Sequence, residues 1–223
     1  MAQFSRLETL QAVLNGGLVP IFYNRDPEVA LDIAKAVACG GSRVVEFTNR
    51  GDGAPRVFER LIAGCRSELP DMVVGIGTIS DPATAALYLS LGADFVVTPV
   101  LNPDVVRVCN RRKVPVLPGC GSASEIATAE ELGCEVIKVF PADALGGPSF
   151  IKAVRGPSPW SSLMPTGGVS FSAESVQGWI KGGAVAVGMG SALVSKDIVA
   201  NKDYDTLRER VSTVLGWIRE ARS

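Results

Sequence analysis

Eight short β-branched runs alternate with amphipathic stretches along a chain of 223 residues, of which 47% are hydrophobic and 20% charged. This pattern predicts an α/β fold, a (β/α)8 TIM barrel in one domain spanning residues 1–223, with an extra helix ahead of the first strand. The size agrees, since such barrels typically have about 250 residues with a lower limit near 200. The competing doubly wound sheet calls for a G-x-G-x-x-G turn after its first strand, whereas here that strand runs into Tyr23-Asn-Arg-Asp-Pro27.

In order, the strands read as Leu18–Phe22, Arg43–Thr48, Val73–Thr78, Phe95–Pro99, Val114–Pro118, Glu135–Phe140, Ser162–Thr166 and Ala184–Gly188. Each is short, apolar and bounded by turn formers. The segments between them place apolar residues three or four apart and read as helices: Pro27–Cys39, Ala54–Ser67, Asp81–Leu91, Pro103–Arg111, Ala123–Leu132, Ser149–Val154 and Ser172–Ile180. A leading helix is expected from about Phe4 to Leu14 and a final one from about Tyr204 to Arg219.

Composition removes several classes of function. A net charge of −1, with no basic stripe interleaved with aromatics, gives no electrostatic case for nucleic acid. No stretch approaches the roughly 20 apolar residues that cross a bilayer, and the polar start does not read as a signal peptide, so a cytoplasmic protein is expected. Five cysteines without a C-x-x-C spacing read as reduced packing residues. The absence of histidine is the sharpest constraint. It removes the usual general base, the commonest metal ligand and every Ser-His or Cys-His nucleophile, so acid–base work falls to Glu, Asp, Lys, Tyr or Cys and no metal is expected.

Lys138 stands in Glu135-Val-Ile-Lys-Val-Phe-Pro-Ala142, a run otherwise apolar enough for a buried strand. Burial lowers the pKa of an amine, and a neutral amine attacks carbonyls to form Schiff bases. The plain alternative is a lysine whose head snorkels to solvent or pairs with a carboxylate. Glu46, Thr48 and Arg50 are spaced i, i+2, i+4 on one strand and share a face, as do Lys138 and Phe140. If that face is the interior, a carboxylate, a guanidinium and an amine converge on one cavity; the alternative is a structural Glu46–Lys138 pair, although isolated buried pairs seldom stabilise more than apolar residues do. Thr78, Thr98-Pro99 and Pro118-Gly-Cys-Gly121 end three other strands, as ligand-facing residues or as ordinary turns. Thr166-Gly-Gly-Val169 and Gly188-Met-Gly-Ser191 follow the last two strands, where these barrels commonly bind phosphate; tight turns needing positive φ are the alternative.

Together, Glu46-Phe-Thr-Asn-Arg50, Gly75-Ile-Gly-Thr78, Thr98-Pro99, Pro118-Gly119 with Ser124-Glu125, Lys138-Val-Phe-Pro-Ala142, Pro165-Thr-Gly-Gly168 and Gly190-Ser191 closely resemble the class I 2-keto-3-deoxy-6-phosphogluconate (KDPG) aldolases, from about Leu18 to Val194. The resemblance implies a homotrimeric, cofactor-free aldolase that cleaves this sugar acid to pyruvate and glyceraldehyde 3-phosphate, with 4-hydroxy-2-oxoglutarate (KHG) as a further substrate. It implies Lys138 as the imine-forming residue and Glu46 as the group that moves protons. Arg50 and Thr78 are implied to hold the pyruvyl carboxylate, Pro99, Phe140 and Thr166 to surround the imine, and Gly167, Gly168, Gly190 and Ser191 to cradle phosphate. The chain departs from the common family pattern at Phe47, Asn49, Gly51, Val139, Asp143 and Met189. These departures leave the pyruvate half intact and the aldehyde half open. A phosphosugar epimerase or isomerase, a pyruvate aldolase with another aldehyde, and a non-catalytic sugar-phosphate sensor are the other functions such residues would serve.

Overall fold

Local chemistry sets where the helices begin. An Asp or Asn side chain satisfies orphan amides at a helix start, and a proline just after it presets the helical φ without losing a needed N–H. The computed structural model describes residues 1–223. Its elements are α1 (Arg6–Gly16), β1 (Leu18–Phe22), α2 (Pro27–Cys39), β2 (Val44–Thr48), α3 (Ala54–Glu68), β3 (Val73–Gly77), α4 (Pro82–Leu91), β4 (Phe95–Val97), α5 (Pro103–Arg111), β5 (Val116–Leu117), β6 (Gly119–Cys120), α6 (Ala123–Glu131), β7 (Ile137–Val139), α7 (Pro148–Arg155), β8 (Leu163–Pro165), α8 (Ala173–Lys181), β9 (Val187–Met189), α9 (Lys196–Ala200) and α10 (Tyr204–Arg222). Asp26, Asp81 and Asn102 cap α2, α4 and α5 in this way, and the expected bounds of α2 and α5 are those observed. At α1, Ser5 and Glu8 form a capping box, so the helix starts two residues after the expected position.

All strand pairs are parallel. They form a curled sheet in two segments, one of six strands in the order β5-β4-β3-β2-β1-β9 and one of three in the order β6-β7-β8. An isolated bridge between Thr166 and Gly188 links β8 to β9. The expectation of eight strands is corrected in one place: Val114–Pro118 is divided, with β5 before Pro118 and β6 after it. Proline has no N–H to give to a ladder, so pairing stops there, although the Pro118 carbonyl still accepts from the Lys138 N–H at 3.0 Å. The first strand has its expected bounds, the last ends one residue later at Met189, and the others are shorter than the apolar runs that predicted them.

Alternation of side chains divides the interior in two. Outward residues such as Val45, Phe47, Val74, Ile76 and Val96 join the helices in a cluster of 53 buried residues. Inward residues form a separate cluster of 12, including Val19, Ile21, Val44, Val73, Phe95, Val97, Leu117, Val136, Met164 and Ala186. Leu10 and Val13 of α1 belong to this inner cluster, so the leading helix covers the end where the strands begin. The apolar filling at that end leaves the inner face beyond it to polar residues. No helix is long and apolar enough to cross a membrane. Cys65, Cys109, Cys120 and Cys134 are buried free thiols pushed up to about 12 by burial, which keeps them protonated packing residues.

Candidate active site

Alternation along β2 puts Val44, Glu46 and Thr48 on the inner face, while along β7 it places Lys138 there between Val136 and Phe140. Glu46 is only 1% exposed and Lys138 7%. Glu46 has room because Gly77, at the end of neighbouring β3, carries no side chain; a Cβ there would collide with the Glu46 carboxylate. One Glu46 oxygen, Oε2, has no hydrogen-bond partner. Burial pushes the Glu46 carboxyl above its ordinary range, opposed by the positive charges of Lys138 and Arg50. For Lys138, burial pushes the ammonium down, Glu46 opposes that shift and Arg50 adds to it. Both groups are thus held toward their neutral forms.

The structural ion pair considered from spacing is not formed: no nitrogen–oxygen contact within 4.0 Å joins Glu46 to Lys138. Nor does Lys138 reach open solvent. Its Nζ lies 4.7 Å from the ring centroid of Phe140, which itself lines a cavity of about 650 Å³. An amine whose charge is disfavoured, standing beside an open cavity and near a protonatable carboxylate, has the requirements for attack on a carbonyl.

That cavity brings together Arg50, Phe140, Thr166, Gly167, Gly168, Gly190 and Ser191 of the expected residues. Thr166 Oγ1 is buried without a partner, in space that a side chain at Gly188 would fill. Gly167 and Gly168 have φ of 86° and 78°, which L side chains rarely adopt, so glycine is required here by the turn itself. Glu46 and Lys138, buried behind Phe140 and Thr48, are not themselves in the cavity wall, and neither are Thr78 and Pro99. Thr78 follows β3 with φ 62°, an uncommon conformation for a β-branched residue, at a cost of about 1–3 kcal/mol. Pro99 packs its carbonyl against Gly119, whose strand partner is Lys138. It therefore stands one strand away from the amine.

Sequence reasoning missed α9 and its Lys196, which, with Arg50, supplies all the charge in the cavity wall. The only local signal was Ser195, which caps this five-residue helix; a segment so short has no periodicity to detect. Tyr23 and Asn24, after β1, also line the cavity. A larger cavity of about 720 Å³ lies at the opposite end, between α1 and α10. Its Arg222 is already engaged with the carbonyls of Leu14, Asn15 and Val185. No group of three or more His, Cys, Asp or Glu side chains is arranged to hold a metal ion.

Comparisons with known proteins bear on the family of the whole chain. The profile of the KDPG and KHG aldolase family matches residues 10–210. The 2-dehydro-3-deoxy-phosphogluconate aldolase of Haemophilus influenzae is 32% identical over 202 residues, covering 91% of this chain and 92% of that protein. The KHG/KDPG aldolase of Escherichia coli K12 is 32% identical over 192 residues, covering 86% of this chain and 87% of that protein. A crystal structure of KDPG aldolase from Legionella pneumophila, with pyruvate captured at low pH as a covalent carbinolamine intermediate, has a TM-score of 0.84 at 28% identity and covers 92% of this chain and 97% of its own. With a family match over most of its length and a buried lysine beside an open cavity, the chain belongs to the KDPG and KHG aldolase family.

Proposed function

We propose that this chain is a class I aldolase that reversibly cleaves 2-keto-3-deoxy-6-phosphogluconate to pyruvate and glyceraldehyde 3-phosphate through an imine on Lys138. The observation that carries this reading is the Lys138 amine, driven toward its neutral form by burial and standing beside the cavity at Phe140. Neutral Nζ adds to the C2 carbonyl to give a carbinolamine, which takes a proton from the Glu46 carboxyl and loses water to give an iminium, leaving Glu46 as the carboxylate. The C3–C4 bond then breaks with its electron pair moving into the iminium as an enamine, while Glu46 takes the C4 hydroxyl proton and the aldehyde departs. Protonation at C3 and hydrolysis return pyruvate and the free amine. Glu46 suits both proton steps, having one unpartnered oxygen and a raised carboxyl that binds and releases protons nearer neutrality. The imine is the electron sink, so this route calls for no metal.

Arg50 and Thr78 hold the pyruvyl carboxylate in this reading, the guanidinium offering a planar fork and the hydroxyl supporting it. Phe140, Pro99 and Thr166 enclose the imine. Gly167, Gly168, Gly190 and Ser191 receive the phosphate, supported by the shared cavity wall and the free backbone of the glycines. The same pyruvate half serves cleavage of 4-hydroxy-2-oxoglutarate to pyruvate and glyoxylate. The two sheet segments are read as one eight-stranded barrel, with β5 and β6 as one strand interrupted at Pro118 and the Thr166–Gly188 bridge closing β8 onto β9. A single aldolase domain of residues 1–223, a homotrimer and a cytoplasmic location complete the proposal.

The test is reductive trapping. Pyruvate with borohydride should add one pyruvate-derived group to Lys138, located by peptide mass spectrometry, and Lys138→Arg should show neither the adduct nor cleavage activity. Unmodified Lys138 in the wild-type protein at saturating pyruvate would sink the proposal.

A further inference from the structure

The exit of β2 turns sharply. Arg50 N–H donates to the Thr48 carbonyl at 2.9 Å, two residues back, so Asn49 is the apex of a tight turn. Thr48 and Arg50 on either side line the cavity, whereas Asn49 does not. Its side chain instead meets α4, where Tyr88 Oη donates to Asn49 Oδ1 at 2.7 Å. Tyr88 is fully buried, and its ring packs edge-on against Phe58 with centroids 5.1 Å apart. It is a fixed anchor. Its phenol is pushed up to about 12 by burial, so it remains a protonated donor.

Asn49 is tied a second time by its backbone, whose N–H donates to the Gly77 carbonyl at 2.8 Å. Gly77 directly precedes Thr78, held at φ 62°. Next after Arg50 comes Gly51 at φ 99°, where a Cβ would lie 2.8 Å from Tyr23 Oη. The turn is therefore fixed on three sides: by α4 through Tyr88, by β3 through Gly77 and by Tyr23 behind Gly51. Arg50 has no ion-pair partner of its own, so the path of its backbone decides where its guanidinium enters the cavity.

We infer that Tyr88 and Asn49 are positioning residues: their hydrogen bond holds the β2 exit against β3 so that Arg50 and Thr78 meet one carboxylate. This rests on the carboxylate role given to Arg50 and Thr78 above. A tie of this kind acts on binding of the keto acid and leaves the imine chemistry alone, because neither residue lines the cavity.

The test uses the pyruvate concentration that half-saturates borohydride trapping in the full chain. Tyr88→Phe keeps the ring against Phe58 and removes only the donor. We expect it to raise the half-saturating pyruvate about fivefold, with the plateau of modified Lys138 unchanged. In an Arg50→Gln background the same change should add less than twofold, since a residue acting through Arg50 has nothing left to position. An unchanged half-saturating concentration in Tyr88→Phe overturns the inference, as does a fivefold effect that persists without Arg50. If wild type forms no adduct, the aldolase reading fails and the inference with it, an outcome distinct from both.

Discussion

Asp94 and Glu46 are two buried carboxylates on neighbouring parts of one sheet, 2% and 1% exposed, and burial raises both above their ordinary range. They differ in how they are compensated. Asp94, where the chain enters β4, accepts three backbone N–H groups: Gln3 at 2.7 Å, Phe4 at 3.3 Å and Val74 at 3.0 Å. It thereby ties the N-terminal segment to β3 and β4. Glu46, on the inner face of β2, leaves Oε2 unpartnered and has only the charges of Lys138 and Arg50 to oppose its desolvation. A carboxylate saturated with fixed donors stabilises the fold and is chemically inert, whereas one left short of donors is ready to exchange a proton. The contrast sets a carboxylate engaged with the backbone where the strands begin against one left free for the proposed proton transfer beyond it.

The strongest way to break this comparison is to neutralise each carboxylate in turn. Glu46→Gln should lower kcat by about 10²- to 10⁴-fold, the usual worth of a positioned proton carrier, with a far smaller effect on KM. A pyruvate-linked assay of steady-state cleavage measures this, and a kcat within twofold of wild type would remove Glu46 from the mechanism. Asp94→Ala should do the reverse. Stranding three backbone donors should cost about 3 kcal/mol or more in urea unfolding, while kcat per folded molecule stays within twofold. A large loss of kcat without loss of stability would erase the distinction between the two sites.

The smallest and sharpest test concerns the pKa of Lys138. Only the neutral amine reacts, so reductive alkylation of Lys138, read by mass spectrometry, should rise with pH through a midpoint below the ordinary lysine value of 10.5. Glu46 favours the ammonium, so Glu46→Gln should move the midpoint to lower pH. Arg50 disfavours it, so Arg50→Gln should move the midpoint to higher pH. Shifts of the same sign in both variants would mean that burial alone governs the amine.

Much of the candidate site was legible in the sequence because its signals were local. A lysine inside an apolar run, a same-face Glu46 and Arg50, and paired glycines after two strands can all be read within a few residues. The starts of α2 and α5 were equally local, being set by Asp26-Pro27 and Asn102-Pro103. Thr78 and Pro99 show the limit of that reasoning. Both stand at strand ends as expected, yet the cavity wall passes them by, because the height of a strand end depends on how far its neighbours stagger.

By itself, then, the sequence determined the alternation of elements, the poverty of acid–base groups without histidine and the identity of the one lysine in an apolar strand. These follow from composition and from contacts within a turn or a pleat. Only the tertiary structure decided that Glu46 and Lys138 stay out of contact, that Asp94 holds Gln3 from 91 residues away and that Tyr88 holds Asn49 from 39. Hydrogen bonds at such separations are chosen by the packing of whole elements, since no local pattern specifies which donor will face which acceptor once the sheet has curled.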